Sequence, residues 1–232
     1  MRLVLASLLA VSAVFGAVQT KTKKINGTTI EYKVVLPAGY DAVKEYPAVL
    51  AFPGGGQTLQ IAEGMVERNF KREAEARGYI VVVPAAPGGV LYFEGSEKLM
   101  PEFIKQVLAD YKVRGGKFHM AGVSNGGVSA MHVAAANPQY FTDITVFPGY
   151  LPDFDDAHVK AVSKMCIHMY AGGEDPGWRD DMLDQAARFK AKGVKVTTSV
   201  EKGQPHRIET LAGDGAKRLF AHFEQTYPAC GE

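Results

Sequence analysis

Gly122, Ser124 and Gly126 spell G-x-S-x-G inside the stretch AGVSNGG, directly behind the apolar run KFHM. A lone hydroxyl at a strand-to-helix junction, with glycine two residues to either side, suits a serine nucleophile. In so sharp a turn the residues flanking the serine come close together, and a side chain on either would clash. The alternative is a glycine-rich helix start with a capping serine. A cap needs no glycine on the strand side, so Gly122 favours the nucleophile. The motif is short, however, and chemistry needs more than a serine. It needs a general base, a carboxylate to orient that base, and N–H donors for the oxygen that gains charge.

The elements that must position such groups can be read from apolar patterning. Apolar, β-branched runs fall at 29–36, 47–52, 79–85, 117–122, 143–148, 165–172 and 194–200. Several are continuous rather than alternating, as in parallel strands buried on both faces. Between them lie helical patterns at 61–78, 96–116, 125–138, 179–193 and 207–228. Gly78 stands at a C-cap position, and Asn137-Pro138 closes the helix behind the serine. Strands alternating with helices predict an α/β domain built on a mainly parallel sheet. No repeat or low-complexity linker divides the chain, so residues 18–232 are expected to form a single domain. A composition of 47 % hydrophobic and 22 % charged residues is that of a globular protein. A net charge of +1 without a basic stripe gives no support to a nucleic-acid or anionic-membrane partner. The short KTKK at 21–24 reads as a solvated lead-in rather than a binding patch.

GVSNGG after a short apolar strand resembles the nucleophile elbow of the α/β-hydrolase superfamily. The doubled glycine after the serine is similar to secreted polyhydroxyalkanoate depolymerase-like and feruloyl esterase-like enzymes. It also resembles prolyl-oligopeptidase-type peptidases. The resemblance implies an α/β-hydrolase fold and a triad in the chain order serine, acid, histidine, the last two on loops after late strands. Of the six histidines, His119 and His168 fall inside strands and His132 and His222 inside helices. His158 belongs to PDFDDAH, where Asp153, Asp155 and Asp156 hint at a metal but match no calcium or zinc spacing, so a solvated loop is expected. His206, in EKGQPHRIET between the last strand and the last helix, matches the family's histidine loop, with Gly203 and Pro205 beside it. The loop AGGEDPGW resembles the family's G-x-x-D segment, matched by Gly172 and Asp175. Pro176 pushes Asp175 out of the helical region, which favours it over Glu174; Asp180 and Asp181 remain as alternatives. For the oxyanion, one donor is the N–H of Asn125. Gly54, Gly55 and Gly56 in FPGGGQT resemble an H-G-G-G-type oxyanion loop, with Pro53 where the family carries His, and Gly55 is the expected second donor. A generic turn is the alternative. A phosphate-binding Walker loop is excluded, since no Lys-Ser/Thr follows the glycines.

The expectation is therefore a serine hydrolase of carboxylic esters, working through an acyl-enzyme on Ser124 without cofactor or metal. A small serine peptidase shares the same elbow and triad, and a catalytically silent binding protein would usually have lost a triad member. Residues 149–164 leave no room for a large cap, and an open cleft suits a polymeric or bulky ester. Tyr92, Phe93, Tyr150 and Trp178 lie on loops where they either wall the cleft or pack. Residues 1–17, with Arg2, an apolar run at 3–15 and small residues behind it, have the layout of a signal peptide cleaved after Gly16 or Ala17. A secreted or periplasmic monomer without membrane insertion is expected. Cys166 enters its strand at the end to which the last helix returns, so a Cys166–Cys230 bridge is expected too.

Overall fold

Every residue of Ala48–Phe52 is buried, and the strand alternation sends them to two different cores. Ala48, Leu50 and Phe52 join one apolar cluster while Val49 and Ala51 join the other. That is the signature of a strand covered by helices on both sides. The computed structural model describes residues 18–226 and Cys230. The signal-peptide reading of residues 1–17 lies outside the described residues.

Eight strands form one sheet: β1 (Val18–Ile25), β2 (Thr28–Val35), β3 (Ala48–Phe52), β4 (Ile80–Pro84), β5 (Phe118–Gly122), β6 (Phe141–Val146), β7 (Cys166–Gly172) and β8 (Val196–Glu201). Their order is β1-β2-β4-β3-β5-β6-β7-β8, antiparallel where β2 pairs β1 and β4 and parallel from β4 to β8. On one face, α3 (Met100–Asp110), α4 (Asn125–Ala136), α5 (Asp156–Val162) and α6 (Pro176–Ala191) contribute Phe103, Met131, Val162 and Phe189 to the larger cluster. On the other face lie α1 (Leu59–Met65), a π-helical turn Val66–Phe70, α2 (Lys71–Arg77) and α7 (Lys217–Thr226), whose Met65, Phe70, Ala74 and Phe220 fill the second. Chain order reverses between β3 and β5, so the loops leaving their carboxyl ends diverge and open a crevice there. Only α5 stands between β6 and β7, and among the described residues no cap domain covers that crevice.

Some expectations shift. KTKK is part of edge strand β1, not a lead-in. Lys21 lies over the Tyr111 ring and Lys23 pairs with Asp110 at 2.6 Å, so apolar stems pack while charges guard an open edge. The helix expected at 96–116 reduces to a 3-10 turn Ser96–Leu99 and α3. The one at 207–228 begins with 3-10 turns Glu209–Leu211 and Gly213–Ala216, which delay α7. His158 sits in the first turn of α5, capped by the Asp155 side chain at 2.9 Å, rather than in a loop.

Cys166 and Cys230 form a disulfide with Cα atoms 5.6 Å apart, across a sequence separation of 64 residues. It fastens the C-terminal end of the chain to the start of β7. In the chain-entropy account a loop of this length stabilises by up to roughly 4 kcal/mol. The Cys166→Ser/Cys230→Ser protein should therefore unfold at lower urea than wild type, and wild type denatured without reductant should show no titratable thiol. Two free thiols in that assay contradict the bridge.

Candidate active site

Ser124 ends the β5–α4 turn with φ 58° and ψ −126°, a region that non-glycine residues rarely enter. The turn is that sharp because two backbones nearly touch. A Cβ on Gly122 would lie 2.2 Å from the Gly126 carbonyl oxygen, and one on Gly126 would lie 2.0 Å from that of Phe52. The Ser124 N–H donates to Pro148 O at 2.8 Å, and its carbonyl accepts from Gly127 N at 2.7 Å. The hydroxyl stands clear of the backbone.

Asp175, His206 and Ser124 form one hydrogen-bonded chain. His206 Nδ1 lies 2.6 Å from Asp175 Oδ2, and His206 Nε2 lies 2.8 Å from Ser124 Oγ. An ionised carboxylate can only accept, so it holds the ring proton on Nδ1 and leaves Nε2 to accept from the serine hydroxyl. The Asp175 side chain is 17 % exposed and that of His206 42 %, so the acid is the shielded partner and the ring edge meets solvent.

The loops carrying acid and histidine are stitched together. Gly173 N donates to Glu201 O and Glu174 N to Gln204 O, at 2.8 and 2.9 Å. A Cβ on Gly172 would meet Pro205 O at 2.1 Å, which is the physical reason for glycine in G-x-x-D. Asp175 precedes Pro176 with an extended-side backbone, φ −118° and ψ 73°, while Glu174 is exposed. The Glu201 carboxylate accepts two bonds from Arg218 (2.7 and 2.8 Å), one from Ser199 and one from Thr210. It clamps both ends of the histidine loop to α7. The Arg218 guanidinium is the main cause that holds the Glu201 carboxyl down at about 2, against 4.5 for an unperturbed group.

The Gly54–Gly55–Gly56 loop packs on the serine turn, a Cβ on Gly54 falling 3.1 Å from Val123 O and 3.4 Å from Ser124 Cβ. Gly55 has φ +55°, and its carbonyl accepts from Asn125 Nδ2 at 3.0 Å. Among the described residues no hydrogen bond engages the N–H of Gly55 or of Asn125. Gln57, fully buried with φ 50°, is a residue that sequence reasoning missed. Its backbone bonds Gly54 O and Ala86 N, and its side chain donates to Ser129 Oγ at 2.7 Å and accepts from Tyr92 N at 3.3 Å. It pins the glycine loop. A polar residue closing FPGGGQT was the available signal, but its partners are remote in sequence.

A cleft of about 440 Å³ opens beside Ser124 and His206, with Ile61, Met65, Phe147 and Ile208 among its lining. The aromatic residues expected at its wall divide. Tyr92 is a correction: it is fully buried on Phe52, because its hydroxyl finds the Ala85 carbonyl at 2.8 Å inside the core. Phe93, its half-buried neighbour in the same tight turn, does not line the cleft either. Trp178 lies 5.1 Å from the His206 ring and 5.3 Å from Tyr150, so these two form a shelf outside the cleft. The other histidines sit elsewhere. His119 pairs with Asp143 at 2.5 Å, and His168 stacks on His222, itself bonded to Tyr170. Burial pushes His168 down to about 4.

The fold is that of the α/β-hydrolases. An S-formylglutathione hydrolase from Agrobacterium tumefaciens superposes with a TM-score of 0.68 at 16 % identity, over 93 % of this chain and 97 % of that one. A ferulic acid esterase gives 0.72 at 18 %, over 91 % and 97 %. A mutant of the feruloyl esterase module from Clostridium thermocellum, complexed with sinapinate, gives 0.67 at 18 %, over 83 % and 82 %. Likeness at such identities establishes the fold alone. The sequence itself goes further: residues 23–222 match the model of the Esterase family, and the chain belongs to it. It is a carboxylic ester hydrolase. A search of curated protein sequences gives no match.

The Glu201 clamp carries a pH signature. Its folded pKa of about 2 lies below the unperturbed 4.5, so its contribution to stability is complete above about pH 4.5 and is lost as pH falls toward 2. Urea midpoints measured across that window should fall more steeply for wild type than for Glu201→Gln. Parallel curves would mean the carboxylate is not held by these bonds.

Proposed function

We propose that this chain is an exported serine esterase in which Ser124 is the nucleophile, His206 the general base and acid, and Asp175 the group that orients the imidazole. The observation that supports this reading is the continuous hydrogen bonding from Asp175 through His206 to Ser124. In the first step Ser124 Oγ attacks the ester carbonyl carbon as its proton passes to His206 Nε2. The carbonyl π bond opens, and the oxygen takes the negative charge. The N–H groups of Gly55 and Asn125 receive that oxygen, worth about 3–4 kcal/mol per donor in related sites. As the carbonyl reforms, the C–O bond to the alcohol breaks and His206 gives its proton to the departing oxygen. Water then loses a proton to His206, attacks the acyl-enzyme, and releases the acid and Ser124 by the same route in reverse.

The uncapped crevice and the Trp178–Tyr150 shelf beside His206 suit a bulky or polymer-borne ester. The disulfide and the apolar residues 3–15 support an oxidising, secreted or periplasmic location. Against a peptidase reading, matched ester and amide substrates should differ strongly in kcat/KM in favour of the ester.

Ser124→Ala and His206→Ala should each lower kcat by about 10⁴–10⁶, and the double variant by little more, because the two act as a unit. Asp175→Asn should cost about 10⁴ by supporting the wrong tautomer, whereas Glu174→Gln stays within about threefold of wild type. Steady-state kinetics on one p-nitrophenyl ester checks all five variants. The reverse ranking of Asp175→Asn and Glu174→Gln would contradict the assignment of the acid.

A further inference from the structure

The cleft beside Ser124 is lined by apolar side chains and by two arginines. On the arm that follows the glycine loop, Ile61, Gly64, Met65, Arg68 and Asn69 line it. Their spacing of i, i+3, i+4, i+7 and i+8 is one face of a helix. Ile61 Cδ1 lies 3.3 Å from where a Gly55 Cβ would stand, so this face begins at the glycine loop. Arg68 follows Ile61 by two helical turns, about 10 Å along the axis. Arg207, directly after His206, lines the same cleft.

These two guanidinium groups share a single carboxylate. Arg68 Nη1 lies 3.2 Å and Arg207 Nε 3.0 Å from Glu209 Oε1. Among the described residues no aspartate or glutamate lines the cleft. Among the described residues Arg68 donates only from Nη1 and Arg207 is bonded only through Nε, so most of their N–H donors carry no protein acceptor. Two cations set against one anion leave a net positive charge at the cleft.

We infer that the ester filling this cleft carries a carboxylate at the end of an apolar arm of several carbons. The inference rests on the serine esterase reading of the site. Met65, Val123, Phe147 and Ile208 take the arm, and the free edges of Arg68 and Arg207 bind the carboxylate, which guanidinium matches in shape as well as in charge. The acidic group belongs either to the acyl side or to the alcohol side of the ester, and substrates can separate the two. Arg68 has a structural function as well. Together with Asn69, whose Nδ2 donates to Leu211 O at 2.8 Å, it clasps the helical arm to the segment behind His206. Loss of a clasp alone would slow every ester alike.

The test compares kcat/KM at low ionic strength within two pairs of esters. Mono-p-nitrophenyl glutarate is set against p-nitrophenyl pentanoate, and a carboxyalkyl butyrate against the alkyl butyrate of equal length. In one of the pairs the anionic member should be preferred by about tenfold, the size expected of a charge-assisted hydrogen bond, and salt should shrink the preference. Arg68→Met should cut that anionic-to-neutral ratio by about tenfold, and Glu209→Gln, which removes the competing carboxylate, should raise it. The inference is overturned if wild type prefers the neutral ester in both pairs, or if Arg68→Met slows both members equally. Should Arg68→Met fail to fold, Glu209→Gln decides, and an unchanged ratio overturns it. If wild type turns over no ester of either pair, anionic or neutral, the esterase reading fails and this inference with it.

Discussion

The site depends on one close approach of main chain to main chain. At the carboxyl ends of β3 and β5, Gly126 lies so near the carbonyls of Phe52 and Pro53 that no Cβ fits between them. That contact, with Gly122 pressed against Gly126, forces Ser124 into a backbone conformation costing on the order of 1–3 kcal/mol. The strain persists because bonds to Pro148, Gly127 and Val128 over-determine it. The same packing brings Gly54 onto Val123 and Ser124. The serine turn and the glycine loop are therefore one rigid unit, with Gln57 as its internal pin.

A second unit carries the other polar groups. The ends of β7 and β8 lie side by side, and Gly172 lets the chain before His206 cross directly over the acid loop. Glu201 ties that crossing to α7 through Arg218 and to the 3-10 turn through Thr210. The catalytic side chains of the two units meet where His206 reaches Ser124. A distance of 2.8 Å between groups 82 residues apart is thus set by sheet register and glycine contacts, not by local flexibility. The parallel ladder from β5 through β6 and β7 to β8 is the ruler between them.

What could be read from sequence follows the range of the interactions involved. The buried strands are continuous apolar runs, and the glycines of the two crossings mark themselves by residue type. Ser124 could be singled out by its glycine-flanked turn, and Gly172, Asp175 and His206 by the resemblance of their loops to the α/β-hydrolase pattern. Strand β1 could not, since an edge strand is half buried and its lysines resemble a solvated tail until Tyr111 and Asp110 are seen beside them. Tyr92 could not be decided between cleft wall and packing, because its hydroxyl is satisfied in the core by a carbonyl that no local pattern points to. Gln57 and Arg68 were missed for a related reason. The helical spacing from Ile61 to Arg68 is visible in the sequence, but the cleft it faces exists only once the chain has passed from β3 to β5 and on to the His206 loop.

The central claim, that Ser124 is activated by the groups bonded to it, is tested most directly by covalent labelling of the native enzyme. A fluorophosphonate reacts with a serine only where a base removes its proton and N–H donors receive the phosphoryl oxygen. Peptide mass analysis after brief exposure should find one adduct per chain, on the peptide containing Ser124, and none after denaturation. An adduct on another residue, or none on the native protein, would contradict the account.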